Sequence, residues 1–232
     1  MFEEYQRIKE EMELVYLHDR RPWMIGYSGG KDSTLLCLLV FDLLESLPKE
    51  TRWKPLYIVT SDTMVENPIV KAYMHKMSSA INAASKEKNL NVQAHMIYPH
   101  VRQTFWSRVI GLGYPTPEAP GFRWCTERLK IHPSNAFTYN TIKKDGEIVI
   151  LLGVRKAESA ARSRSISSRE IEGKILTPHP QIPKAYVYSP LSEVRNENVW
   201  EYLLRNEGKS AWNTDNNYLY NLYQGENLSE ED

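Results

Sequence analysis

The chain has 232 residues, 41% apolar and 25% charged, which describes an ordinary globule long enough for a full core. Lysine plus arginine matches aspartate plus glutamate at 29 each, and this zero net charge argues against a nucleic-acid binder that works by charge alone. No apolar run approaches the ~20 residues of a bilayer span. The acidic start Met1-Phe2-Glu3-Glu4-Tyr5 is unlike a signal peptide, so a cytoplasmic protein without a membrane partner is expected.

Residues 3–19 read as an amphipathic helix carrying Tyr5, Ile8, Met12, Val15 and Tyr16, so that 1–20 form an N-terminal helix ahead of one main domain at 21–224. Trp23, Met24 and Ile25 begin an apolar strand over 23–27 that feeds the turn Ser28-Gly29-Gly30. A strongly apolar helix, 31–46, follows at once with Leu35, Leu36, Cys37, Leu38, Leu39, Val40, Leu43 and Leu44. Strand, glycine turn and helix N-terminus together cradle phosphate, because unpaired N–H groups and the helix dipole face the anion. Glycine admits close backbone approach, and Lys31 adds a point charge. A Walker loop is excluded: it needs glycine where Ile25 stands and a hydroxyl residue where Asp32 stands. The dinucleotide pattern G-x-G-x-x-G fails too.

A second strand, 56–60, runs into Ser61-Asp62-Thr63. Two readings of Asp62 stand: a carboxylate that helps bind Mg²⁺ or nucleotide, or an acidic turn residue capping the next helix. Glu66 is open in the same way. Asn67-Pro68 opens that helix, which ends near Ala84. A third strand spans 92–98, residues 99–122 are loop-rich with a short helix at 104–110, and 123–131 is helical. There Cys125, flanked by Arg123, Arg128 and Lys130, reads either as an activated thiol of lowered pKa or as a half-buried cysteine beside Trp124. Cys37 reads as a small buried hydrophobe, and two thiols make neither a disulfide scaffold, a zinc site nor a four-cysteine cluster.

A fourth strand, 147–152, leads into Gly153-Val154-Arg155, with Glu158, Ser159 and Arg162 beyond. Gly153 allows close backbone approach, and the arginines suit an α-phosphate or departing pyrophosphate, whereas Lys156 and Arg169 read as solvated. Residues 155–174, polar and rich in arginine and serine, read as mobile or lid-like. A short strand at 186–188, a helix at 196–206 and an acidic, disordered tail at 225–232 complete the chain. Alternating strands and helices predict an α/β fold: a doubly wound, mostly parallel sheet with helices on both faces. Ligands of such sheets sit at the carboxyl ends of the strands, where the Ser28 turn, Asp62 and Gly153 would converge.

The motifs resemble, in order, those of the phosphoadenosine-phosphosulfate reductase branch of the ATP α-hydrolases, the PP-loop ATP pyrophosphatases. They are Ser28-Gly29-Gly30-Lys31-Asp32-Ser33, Asp62-Thr63, Arg123/Cys125/Lys130/Pro133 and Gly153/Arg155/Glu158/Ser159/Arg162. The resemblance spans residues 22–223. Finer words, Ser61 to Pro68, Phe105-Trp106 with Ile110 to Pro117, and Phe122 to Ile131, are similar to the DNA phosphorothioation proteins DndC and SspD.

This resemblance implies an adenine nucleotide α-hydrolase-like fold, with ATP and Mg²⁺ as cofactors. Tyr27 to Ser33, Asp62, Thr63, Gly153, Arg155 and Glu158 would bind nucleotide. Lys31, Asp32, Arg123, Cys125, Lys130, Arg155 and Arg162 would carry the chemistry, and no metal ligand is singled out. The implied partners are the DNA backbone, a cysteine desulfurase as sulfur donor, and other phosphorothioation proteins. Thr126 stands where the reductases have a second cysteine, so an iron–sulfur cluster is not expected here. DndC proteins carry a cysteine-rich segment beyond this region, which makes either a shortened chain or a cluster-free relative the expectation. A sulfonucleotide reductase, a sulfate adenylyltransferase subunit and a non-catalytic ATP-binding assembly subunit are the alternatives.

Overall fold

The computed structural model describes residues 2–116 and 124–228. Helix α1 (Phe2–His18) precedes β1 (Trp23–Gly26), α2 (Lys31–Ser46), β2 (Leu56–Ser61), α3 (Pro68–Glu87) and β3 (Val92–Ile97). The chain then forms α4 (Phe105–Leu112), α5 (Trp124–Thr126), a π-turn (Glu127–Ile131), α6 (His132–Asp145) and β4 (Ile148–Leu151). Helix α7 (Ala160–Ser167), β5 (Thr177–Pro178), β6 (Ala185–Tyr188), α8 (Asn196–Leu203) and α9 (Asn216–Leu228) follow.

The strands form one sheet in the order β3-β2-β1-β4-β6-β5. All neighbours are parallel except β5 on β6, so the sheet is mostly parallel, as expected. Strand β5 was not anticipated: two residues, one of them proline, are too short for a period-two signal, and proline suits an edge. Because β2 and β3 lie to one side of β1 and β4 to the other, the winding reverses between β1 and β4. That reversal opens a crevice at their carboxyl ends.

Alternation along the strands explains why helices cover both faces. Trp23, Ile25, Ile58, Val149 and Leu151 pack into the larger core, with α1, α2, α3 and α8. Met24, Tyr57, Val59, Ile148 and Ile150 face the other way, towards Phe137 and Ile142 of α6. Helix α2 is buried almost all round, including Leu35, Leu36, Leu39 and Leu43. Each such leucine contributes roughly 1.5–3 kcal/mol, so α2 is fixed along its length and its N-terminus is held rigidly beside the crevice.

The segment read as mobile or lid-like carries regular structure over part of its length. Lys156–Glu158 is a single 3-10 turn, and Ser159 caps α7 by accepting from the Arg162 N–H at 3.1 Å. Lys156, read as solvated, bridges Glu170 and Glu193 at 2.7 and 2.6 Å. Helix α9 carries helical backbone to Leu228, into the segment read as a disordered tail, whose end at 229–232 lies outside the described residues. Among the described residues no helix is long and apolar enough to cross a membrane.

Candidate functional site

Two hydroxyls knit the turn after β1. The Ser28 N–H donates to Ser33 Oγ at 3.3 Å, and Ser33 Oγ donates to the Gly30 carbonyl at 3.0 Å. Thr34 Oγ1 donates to the same carbonyl at 2.9 Å. Gly29 sits at φ +76°, a left-handed conformation open to glycine without a steric penalty, with Tyr73 and Met74 of α3 packed against it. Gly30 is the N-cap of α2 and offers its first amides no side-chain acceptor. Those amides and the positive end of the dipole therefore face the crevice together. Tyr27, assigned to the nucleotide from the sequence, turns its ring into the core, where its hydroxyl lies 3.4 Å from Thr34 Oγ1.

Asp32 and Arg155 meet across the crevice, although 123 positions separate them. Arg155 Nε donates to Asp32 Oδ1 at 2.5 Å, and its two terminal nitrogens donate to the Val194 carbonyl and to Asn196 Oδ1, each at 3.2 Å. Only 2% of Arg155 is exposed. The guanidinium assigned to a phosphate is thus engaged inside the protein, bracing the loop after β4 against α2 and α8. Glu158 serves the same brace, accepting from the Arg155 N–H at 2.6 Å. Arg162 reaches back to Glu158 at 3.4 Å from a partly exposed position on α7.

Gly153 answers a packing demand. A Cβ there would stand 2.9 Å from the Asp32 carbonyl oxygen, 3.0 Å from its carbon and 3.2 Å from the Ser33 Cα. All three are backbone atoms, so no flexible side chain can give way. Gly153→Ala should cost about 1–3 kcal/mol, in the range of overpacked cores, and should displace the first turn of α2. Thermal denaturation and a titration with inorganic pyrophosphate test this; an unchanged melting temperature with unchanged binding refutes it.

At the end of β2, the Asp62 side chain is fully buried. Its oxygens accept from the Met64 N–H at 2.8 Å and lie 3.3 Å from Lys71 Nζ and 3.4 Å from His75 Nε2. Burial alone would raise its pKa, but the Met64 amide, His75 and Lys71 outweigh that and hold the carboxyl below the ordinary aspartate value. Asp62 is therefore an anion that closes the turn onto Met64, which sits at φ +65°. The helix cap is Asn67, whose Oδ1 accepts from the Ile69 N–H at 2.9 Å. Thr63 Oγ1 donates to Glu66 Oε1 at 3.0 Å, and the same oxygen lies 3.4 Å from Lys130 Nζ. This links the second motif to the third. A cavity of about 260 Å³ lies between them, lined by Tyr27, Ser28, Glu66, Met74, Lys130 and Ser134 among others. Among the described residues no three of His, Cys, Asp and Glu gather into a metal cage.

Cys125 is half-buried on α5 and is not among the residues that line this cavity. Of the cations expected around it, Arg128 lies 3.4 Å from Gln103 Oε1, Lys130 faces Glu66, and Arg123 lies outside the described residues. The expected helix is present but widens into the π-turn directly after Thr126, a feature that recurs at functional sites. Cys37 is fully buried, and burial pushes its thiol far above the usual cysteine range.

Sequence reasoning missed Tyr223, which reaches Gly30 and Lys31 from α9, and Tyr73, which backs Gly29. The only signal for Tyr223 was the spacing of Tyr218, Tyr220 and Tyr223 in a late amphipathic stretch, and Tyr73 on α3 had none.

The model of the phosphoadenosine phosphosulfate reductase domain matches residues 22–211. An uncharacterized protein of Methanocaldococcus jannaschii is 26% identical over 191 residues, covering 82% of this chain and 33% of that protein. The chain thus spans about one third of the length of that curated relative. Phosphoadenylyl-sulfate reductase from Candida auris, solved as a phosphate complex, aligns with a TM-score of 0.52 at 12% identity, covering 86% of this chain and 79% of that one. The U34-tRNA thiolase of Methanococcus maripaludis, solved with its 4Fe–4S cluster, aligns with a TM-score of 0.52 at 16% identity, covering 90% and 63%. Identities this low show a shared fold and nothing finer.

Proposed function

This chain belongs to the phosphoadenosine phosphosulfate reductase domain family, and from that footing we propose that it cleaves ATP between the α- and β-phosphates to activate a DNA backbone phosphate for sulfur insertion, the role that its resemblance to the DNA phosphorothioation proteins DndC and SspD implies. One observation carries the nucleotide reading. The Ser28–Ser33 turn brings the first amides of a rigid helix, to which the N-cap Gly30 offers no side-chain acceptor, to the switch-point crevice, with Lys31 beside them and a cavity alongside. The DNA reading rests on the resemblance of the words around Ser61–Pro68 and Phe122–Ile131.

In this reading the pyrophosphate end of ATP lies on the loop. Asp62, a buried carboxylate at the end of β2, would be the residue to assist a Mg²⁺ brought in by the triphosphate, whose other ligands would be phosphates and water. A non-bridging DNA phosphate oxygen attacks the α-phosphorus and expels pyrophosphate, leaving an adenylated backbone. The terminal sulfur of a persulfide on Cys125, loaded by a cysteine desulfurase, attacks the DNA phosphorus, and AMP departs with the oxygen that had attacked. An external dithiol then cleaves the remaining S–S bond, becoming a disulfide and returning Cys125 as a thiol. Adenylation is needed because an anionic phosphate oxygen is a very poor leaving group. Lys31, Lys130 and Arg162 would stabilise the charge that develops. The same proposal extends to Arg123.

Incubation with DNA, a desulfurase and ATP labelled at the α-phosphate should yield AMP and pyrophosphate. Cys125→Ser should retain AMP formation and lose phosphorothioate; a fully active serine variant removes the thiol from the mechanism. Release of ADP and orthophosphate overturns the reading. The family match favours sulfonucleotide reduction as the second reading, and sulfite formed from phosphoadenosine phosphosulfate with reduced thioredoxin would establish it. Tight ATP binding with no AMP would mark an assembly subunit instead.

A further inference from the structure

Helix α9 anchors its first turns in the core and lays its later ones over the anion loop. Asn216 is buried and donates to the Leu203 carbonyl at 2.9 Å, while Leu219 is buried in the larger core. Tyr218 then stacks on Tyr73, with ring centres 5.7 Å apart, beside Gly29. Four residues past Leu219, Tyr223 arrives at the loop itself. The Lys31 N–H donates to the Tyr223 hydroxyl oxygen at 3.4 Å, and the Lys31 ammonium lies 4.8 Å from the centre of the same ring. That hydroxyl also lies 3.1 Å from the point where a Cβ on Gly30 would stand, so any larger residue there would push the phenol back by a few tenths of an ångström.

The phenol therefore makes both interactions that a phosphate oxygen would make here. Its oxygen accepts from the first amide of α2, a donor without an intrahelical partner. Its ring takes up the positive charge of the lysine. The hydrogen bond is longer than the usual 2.7–3.2 Å range for N–H···O, and a phosphate oxygen would make a shorter, charge-assisted one.

We propose that α9 is a self-inhibitory strap: Tyr223 occupies the anion position of the Ser28–Ser33 loop, and a pyrophosphate-bearing ligand binds only by displacing it. This inference rests on the anion-loop reading above. Free chain with the strap down binds more weakly by the fraction of molecules in which the loop is open, and ligand in turn holds the strap off. Trp200 of α8 reports the movement, because it makes an edge contact with Tyr223 at 5.2 Å and with Tyr220 at 5.1 Å.

Calorimetric titration with inorganic pyrophosphate tests the proposal on three chains. Tyr223→Phe keeps the ring and removes the hydroxyl, and it should bind pyrophosphate about threefold to tenfold more tightly than the native chain. Tyr223→Leu, which also removes the cation–π contact, should bind at least as tightly. Lys31→Ala should lose binding. Tyr223 variants that bind as the native chain does, or more weakly, overturn the strap while loss of binding in Lys31→Ala leaves the anion loop standing. Native binding in Lys31→Ala instead overturns the anion loop, and the strap with it. Tryptophan emission should change on adding pyrophosphate to the native chain and not to Lys31→Ala; a constant native signal despite binding counts against displacement of α9.

Discussion

Arg155→Ala is expected to lower stability by about 3–5 kcal/mol, the range for stripping one partner from a buried ion pair. For a chain of this size that is a drop in melting temperature of roughly 6–20 °C. The loss has three parts: Asp32, the Val194 carbonyl and Asn196 Oδ1 each lose a donor. Asp32 retains some relief, because it is 17% exposed and Lys31 Nζ lies 3.7 Å away, so the lower end of the range is favoured. Asp32→Asn strands the charge on the more deeply buried partner and should cost at least as much. The double substitution Asp32→Leu with Arg155→Met removes both charges together. It should lie well above the sum of the single losses, since the partners are in contact. A shift below about 1 kcal/mol for Arg155→Ala would show that the guanidinium is not a brace and is available to ligand.

The architecture was legible because each strand alternates or runs apolar within clear turn signals. Trp23–Ile25, Leu56–Thr60 and the α2 leucines could hardly pack any other way, and their alternation with helices then implies a parallel sheet covered on both faces, though not the strand order. The edge pair was not legible. Thr177–Pro178 has no periodicity, and its pairing with β6 is decided by tertiary context alone. The π-turn at Glu127–Ile131 likewise has no composition signature. In the site, spacing picked out residues that the fold brings to one crevice, Ser28, Lys31, Glu66 and Lys130 among them, but not which way each one faces. Gly153 and Arg155 stood beside a phosphate loop in sequence and were given a ligand. The structure directs Gly153 against the Asp32 backbone and Arg155 against the Asp32 side chain. Both still serve the loop, by holding it rather than by lining it. Helix α9 was not read from the sequence, because its buried anchors Asn216 and Leu219 stand among polar residues and tyrosines with no strong apolar period.

The cations at positions 31 and 155 looked alike in the sequence and should behave in opposite ways. Lys31→Ala removes no buried partner. Its ammonium has a long contact to Asp32 and a ring contact to Tyr223, interactions of about 0–1 kcal/mol each. The folded state should therefore survive with a melting temperature close to native. Cleavage of ATP should nevertheless fall by about 10²–10³, the loss seen when one preorganised charge-stabilising group is taken from a reacting centre. Lys31→Arg keeps the charge but replaces a compact ammonium with a planar fork beside a tight turn, so it should recover only part of the rate. The pair of measurements is diagnostic because the two effects separate: a lysine that braced the loop would lose stability and rate together, as Arg155→Ala should. If Lys31→Ala leaves pyrophosphate release from ATP unchanged, the loop after β1 binds no triphosphate, and the chemistry belongs elsewhere in the crevice.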